Sequence, residues 1–140
     1  MRKTPVKQDD QLGCGVACVA FILGLDYLQA ILLFKKGQYR VKRNGFLCKD
    51  IIEAFNNIGI RYTYRYIKQR IRSKIYKKGT IVFIKKSKKY PSGHYLCRAQ
   101  DVWMDPWINF RLDKDILKAK AGFRKRLPGK PIYAISPARD

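Results

Sequence analysis

Acidic residues are scarce in this chain, and between Glu53 and Asp101 there is none. Ten Asp and Glu stand against 31 Lys and Arg in 140 residues, a net charge of +21. Solubility needs far less, and a field of that sign attracts polyanions: nucleic acid, an acidic membrane surface or an acidic protein segment. Histidine occurs once, at position 94. A metal centre would have to draw on Cys14, Cys18, Cys48 and His94. The Cys14–Cys18 pair lies within one apolar helical stripe and lacks the loop geometry of structural zinc sites. A glycine-rich phosphate loop is missing as well, so neither metal nor cofactor is expected. Repeats and low-complexity linkers are absent, which reads as one domain over 1–140. The apolar run of residues 13–25 is too short to span a bilayer. Asp9 and Asp10 precede it, and no small-residue cleavage site follows before Asp26, which argues against a transmembrane segment or a secretory signal.

What is present supports a folded core. Hydrophobic residues make up 46% of the chain, with nine Tyr, seven Phe and two Trp, well outside disordered composition. Cys14, Cys18, Phe21 and Leu25 fall at helical spacing, predicting a helix over about 13–24 that Gly24 breaks. Asp26 is placed to cap a second helix, DYLQAILLFKK, ending at Gly37. Residues 46–58 repeat the pattern until Gly59. The period then changes to two. Strands are expected at 60–67, 80–84, 94–99, 101–107 and 131–136, with a short helix over 113–121 capped by Asp113. Helices first and an antiparallel sheet after them make an α+β fold of two packed layers.

Three residues stand out chemically. Cys14 lies where a polar loop, QDDQLG, turns into the apolar helix. The positive end of a helix and its unpaired amides favour a thiolate there. Gly13 and Gly15 flank it, which lets backbone approach a substrate closely. His94 opens the strand HYLCRA. If that strand and VWMDPW form a hairpin with a two-residue loop, His94 faces Trp107 and lies diagonal to Asp105. With a four-residue loop, His94 and Asp105 are directly opposite. Either register puts both on one face, with Cβ atoms roughly 5 to 8 Å apart, whereas an odd-length loop separates them. Asn109 is the other candidate to orient His94. A cysteine at a helix start with a distant histidine and a carboxylate is a thiol-nucleophile arrangement.

The stretch QDDQLGCGVAC, with Gln8 six residues before Cys14, resembles the motif of bacteriocin-processing, papain-like cysteine peptidases, which remove double-glycine leaders. GHYLC and then MDPW resemble the remainder of that pattern in the same order. The resemblance implies a papain-like fold with N-terminal helices packed on an antiparallel sheet. It also implies Cys14 as nucleophile, His94 as general base and acid, Asp105 as its orienter, and Gln8 as oxyanion donor beside the Cys14 amide, with Gln11 as a rival. Leu12-Gly13 departs from the family's usual polar residue, and the step of eleven positions from His94 to Asp105 makes a short hairpin. A peptide or protein substrate follows, cut at a peptide or isopeptide bond and including leader peptides.

The basic half fits around this reading. QRIRSKIYKKG and KKSKKYPSG bracket the strand TIVFI, and the second runs into His94. Arg70, Arg72, Lys85, Lys86, Lys88 and Lys89 form a candidate collar for an acidic peptide or for nucleic acid. The second partner supports an alternative: a papain-like toxin or nuclease acting on RNA, or a basic nucleic-acid-binding module with an inactive site, in which Tyr62, Tyr64, Tyr66, Trp103 and Trp107 could stack bases. Three of the four cysteines lie in apolar runs and are expected to be reduced. That places the protein in the cytoplasm, or in a target cell if it is a delivered toxin.

Overall fold

Helical spacing at the N-terminus produces a helical layer, and the alternation that follows produces a sheet. The structure is a computed structural model that describes residues 1–138. Helix α1 (Cys14–Leu23) buries every residue from Gly15 to Phe21, more than the single stripe anticipated. An all-apolar helix of this kind belongs inside a core, and α1 is wedged between the sheet and two other helices. Gly24 closes it in the left-handed conformation (φ 75°), its amide bonding to the Ala20 carbonyl, a standard helix stop. Asp26 caps α2 (Tyr27–Ile31) by accepting from the Gln29 amide at 2.7 Å, while the Gln29 side chain returns the bond to the Asp26 amide at 3.0 Å. This helix is shorter than expected, and Gly37 begins a separate turn, α3 (Gly37–Arg40), instead of ending α2. Helix α4 (Cys48–Asn56) starts where Asp50 accepts from the Leu47 amide and from both Arg40 guanidinium nitrogens.

Six antiparallel strands follow: β1 (Tyr62–Tyr66), β2 (Ile81–Ile84), β3 (His94–Arg98), β4 (Trp103–Asp105), β5 (Gly122–Arg124) and β6 (Pro131–Pro137). Their order across the sheet is β1-β6-β2-β3-β4-β5. The fold is α+β, with the helices on one face. Ile81, Tyr95, Cys97, Met104 and Ile135 meet the helical layer there, with Phe83 and Tyr133 packed against them. Val82, Ile84, Leu96, Trp103 and Ala134 point to the opposite face and build a second, smaller core with Ile75 and Tyr90. Ile75 comes from a 3-10 helix, Gln69–Tyr76, within a segment the sequence presents as a basic loop. The helix expected over 113–121 is only a 3-10 turn, Ile116–Lys118, capped by Asp115 and not by Asp113. Strand β4 stops before Pro106, and β5 was not foreseen, since three residues show no period. Trp103 and Trp107 are fully buried and unavailable for base stacking. All four cysteines are free thiols. Among the described residues no helix is long and apolar enough to cross a membrane, and no cluster of His, Cys, Asp and Glu could hold a metal ion.

The two layers are joined by Phe55 of α4, stacked on Tyr62 of β1 with ring centroids 3.8 Å apart and planes 4° from parallel. Phe55→Ala should lower unfolding stability by about 3 to 5 kcal/mol through the cavity left behind, measured by urea titration. A loss under about 1 kcal/mol would show that this contact does not hold the layers together.

Candidate active site

The polar stretch before α1 has a structural explanation. Asp10 accepts the Tyr27 hydroxyl at 2.9 Å, and its carbonyl accepts the Gly13 amide at 3.0 Å. The Gln8 side chain is buried and gives its amide hydrogens to the carbonyls of Asp10 and Gln11, at 3.0 and 3.1 Å. The Gln8 backbone amide bonds to the Pro106 carbonyl at 3.3 Å, which ties this loop to the hairpin carrying Asp105. Packing constrains both Gly13 and Gly15. A Cβ on Gly13 would overlap the Tyr27 hydroxyl, and one on Gly15 would press on Ile51 at 3.1 Å. No side chain caps α1, and its first turn holds no acid. The positive helix end and its orphan amides are therefore left to the Cys14 sulfur. The Tyr95 amide also donates to that sulfur, at 3.4 Å.

His94 arrives from the other direction. Arg98 pairs with Trp103, and the Ala99 amide bonds to the Val102 carbonyl. This is the two-residue-loop register, and it sets His94 diagonal to Asp105 on one face. His94 Nε2 donates to Asp105 Oδ1 at 2.7 Å, so the Nε2 atom carries the proton, because a carboxylate only accepts. The other ring nitrogen is left for the Cys14 thiol, which lines the same cleft and whose charge acts on the imidazole. Gly93 makes the approach possible: it sits at φ 75°, and a Cβ there would collide with the Phe83 ring. Tyr90 stacks flat on the imidazole, ring centroids 4.8 Å apart and planes 4° from parallel.

Asp105 is completely buried, and its surroundings compensate. Oδ1 also accepts the Trp107 amide at 3.0 Å, and Oδ2 faces Arg124 Nε at 3.6 Å. Burial raises the carboxyl, but the His94 bond and charge, the Trp107 amide and Arg124 outweigh it, so Asp105 titrates below the usual carboxylate range. Burial likewise pulls His94 down, yet the Asp105 bond, the neighbouring Cys14 and the charges of both push it up to about 9. Asn109 is not at His94; it braces its own loop through the Lys118 carbonyl and the Lys120 amide. Arg124, Tyr90 and the Tyr95 amide were not found from sequence. Arg124 lies on a strand too short to be read, and a backbone amide leaves no trace in side-chain patterns.

Cys14, His94, Gln8, Tyr95 and Trp107 line one cleft of about 290 Å³. Gln11 is exposed on its rim. A neighbouring hollow of about 580 Å³ shares Leu12, Phe46, Phe83 and Tyr95 with it and adds Arg43, Lys49 and Lys86. Lys85, Lys88 and Lys89 are exposed on the same 85–93 loop, with Lys89 Nζ 5.4 Å from the Tyr90 ring centre. Arg70 and Arg72 are elsewhere, on the 3-10 helix beside β1. The sequence collar is thus two separate groups.

The architecture is that of a papain-like peptidase domain. A solved structure with the same fold is the peptidase domain of Streptococcus ComA, a bi-functional ABC transporter involved in a quorum-sensing pathway. The two share 20% sequence identity at a TM-score of 0.54, over 98% of this chain and all of that one. No family model matches the chain, and no curated protein does.

The proton on His94 is held more tightly in the folded than in the unfolded chain. Its contribution to stability is therefore complete below the ordinary histidine value of about 6.5 and is lost as pH rises through about 9. Since His94 is the sole histidine, its ring proton resonance needs no assignment. NMR titration should place its midpoint near 9. Asp105→Asn should lower the midpoint clearly, because burial remains and only Cys14 is left to raise it, and Arg124→Gln should shift it by a unit or less. A wild-type midpoint near 6.5 would contradict the pairing.

Proposed function

We propose that the chain is a cysteine peptidase that cleaves a peptide or isopeptide bond through Cys14, His94 and Asp105. The observation that carries this is the placement of His94: one ring nitrogen on a buried carboxylate, and the ring lining one cleft with the thiol at the uncapped start of α1. A raised imidazole favours the thiolate–imidazolium pair. The Cys14 sulfur attacks the substrate carbonyl carbon, and the oxyanion forms next to the Cys14 amide. Gln8 joins as a second donor by turning one of its two N–H bonds from a loop carbonyl toward the cleft. His94 gives its proton to the leaving nitrogen as the C–N bond breaks. It then takes a proton from water, which attacks the thioester and releases the acid and the free thiolate. Asp105 keeps the ring oriented and stabilises its charged form throughout.

The substrate is a peptide or protein. Lys86 and the neighbouring 85–93 loop border the hollow beside the cleft, which supports an acidic segment steered past them. Processing of a leader peptide is the reaction that the QDDQLGCGVAC resemblance implies.

The test is mass spectrometry of a peptide mixture incubated with wild type and variants. Wild type should yield discrete cuts, Cys14→Ala none, and Asp105→Asn a rate lower by about 10²- to 10⁴-fold with the fold retained. Cleavage by Cys14→Ala at the wild-type rate would overturn the assignment.

A further inference from the structure

The charged residues not used at the cleft converge on a different place. On the face of the sheet that carries Leu96, the edge strand β1, its neighbour β6 and the 3-10 helix Gln69–Tyr76 enclose a hollow of about 280 Å³. Thr63, Arg65, Lys74, Lys77 and Ser136 form its polar wall. A second hollow of about 660 Å³ extends it past Arg65 and Lys74 to Lys68, Arg70 and Tyr66. Five cations therefore line one continuous groove, and no acid lines it. None of the five takes part in an ion pair among the described residues. Crowding like charges in this way opposes folding, and an anionic partner removes that penalty.

The groove is apart from the cleft. Strand β6 and then β2 lie between β1 and the strand of His94, a lateral separation of roughly 14 Å at the usual strand spacing. It is not isolated in charge, however. The Ile67 amide bonds to the Ile132 carbonyl and the Lys85 amide to the Lys130 carbonyl. Lys68, Lys130 and Lys85 thus follow one another just beyond the ends of three adjacent strands, at the end of the sheet where Ile84 pairs with His94. A row of cations leads from the groove toward the 85–93 loop.

We propose that this groove binds the phosphodiester backbone of single-stranded nucleic acid. A regularly charged polymer matches cations strung along a groove and then across three strand ends. Arg65 and Arg70 present planar forks suited to phosphate oxygens, and Thr63 and Ser136 add neutral donors of the kind that position a backbone. A lipid surface is flat and does not enter a concavity between an edge strand and a helix. A single strand can also lay an unpaired base on the half-exposed Tyr66 at the groove's lip, which a duplex with its bases stacked inside cannot.

Fluorescence anisotropy of the full chain with a labelled oligothymidylate of about twenty nucleotides tests this, with salt varied over roughly 50 to 200 mM. Five phosphate contacts predict a log–log salt slope of about −3.5, and the triple variant Arg65→Gln, Lys74→Gln, Lys77→Gln should reduce it to about −1.4 with at least tenfold weaker binding. A control triple of equal charge, Lys3→Gln, Lys35→Gln, Lys42→Gln, should keep the wild-type slope, and Cys14→Ala should bind as wild type. Equal losses from the two triples would overturn the groove and leave only the diffuse net charge. Competition by polyglutamate of the same length as strong as that by unlabelled oligothymidylate would overturn nucleic acid as the partner. Tighter binding of duplex than of single strand would overturn the single-strand assignment.

Discussion

The contact on which the rest of this structure depends is the 2.7 Å bond between His94 and a fully buried Asp105. A carboxylate without water is tolerated only when charges and donors surround it. Each neighbour of Asp105 answers that demand: His94 and the Trp107 amide on one oxygen, Arg124 on the other. The consequences spread outward. β5 is needed to bring Arg124 in, Gly93 to let the histidine strand start beside Phe83, and Tyr90 to cover the imidazole. The loop before α1 is fastened to the same hairpin through Gln8 and Pro106. The thiol and the imidazole are therefore held by one connected set of bonds.

The design also explains an omission in the sequence. Helix starts ordinarily carry Ser, Thr, Asp or Asn as caps, but α1 begins on Gly13, with Asp9 and Asp10 turned to other uses. An oxygen cap or a first-turn acid would compete with a thiolate for the helix end. Leaving that end uncapped keeps its field for the sulfur. Under the proposed mechanism, a first turn of α1 without acids leaves the positive helix end to Cys14.

Much of this was legible before the coordinates. The helices and the main strands follow from apolar periodicity, and the facing of His94 and Asp105 follows from strand pairing with an even loop. The candidate site was readable because its members sit at element starts and turns, where residue type and backbone geometry are closely linked. What was missed depends on tertiary context. QRIRSKIYKK is too basic to suggest a core element, yet Ile75 anchors the second hydrophobic layer. Of the β1 tyrosines only Tyr62 is buried, because β1 is an edge strand. The single collar of cations separated into a cleft-side loop and a groove three strands away, a division that charge counting has no means of seeing.

The account stands or falls on whether Cys14 and His94 form a reactive pair. The direct measurement is the rate of Cys14 alkylation by iodoacetamide across pH, in wild type and in His94→Ala, with labelling located by mass spectrometry. The account predicts rapid labelling of wild type at about pH 6, lost when His94 is removed. Labelling that rises only near about pH 8.5 in both proteins would make Cys14 an ordinary cysteine and contradict the central claim.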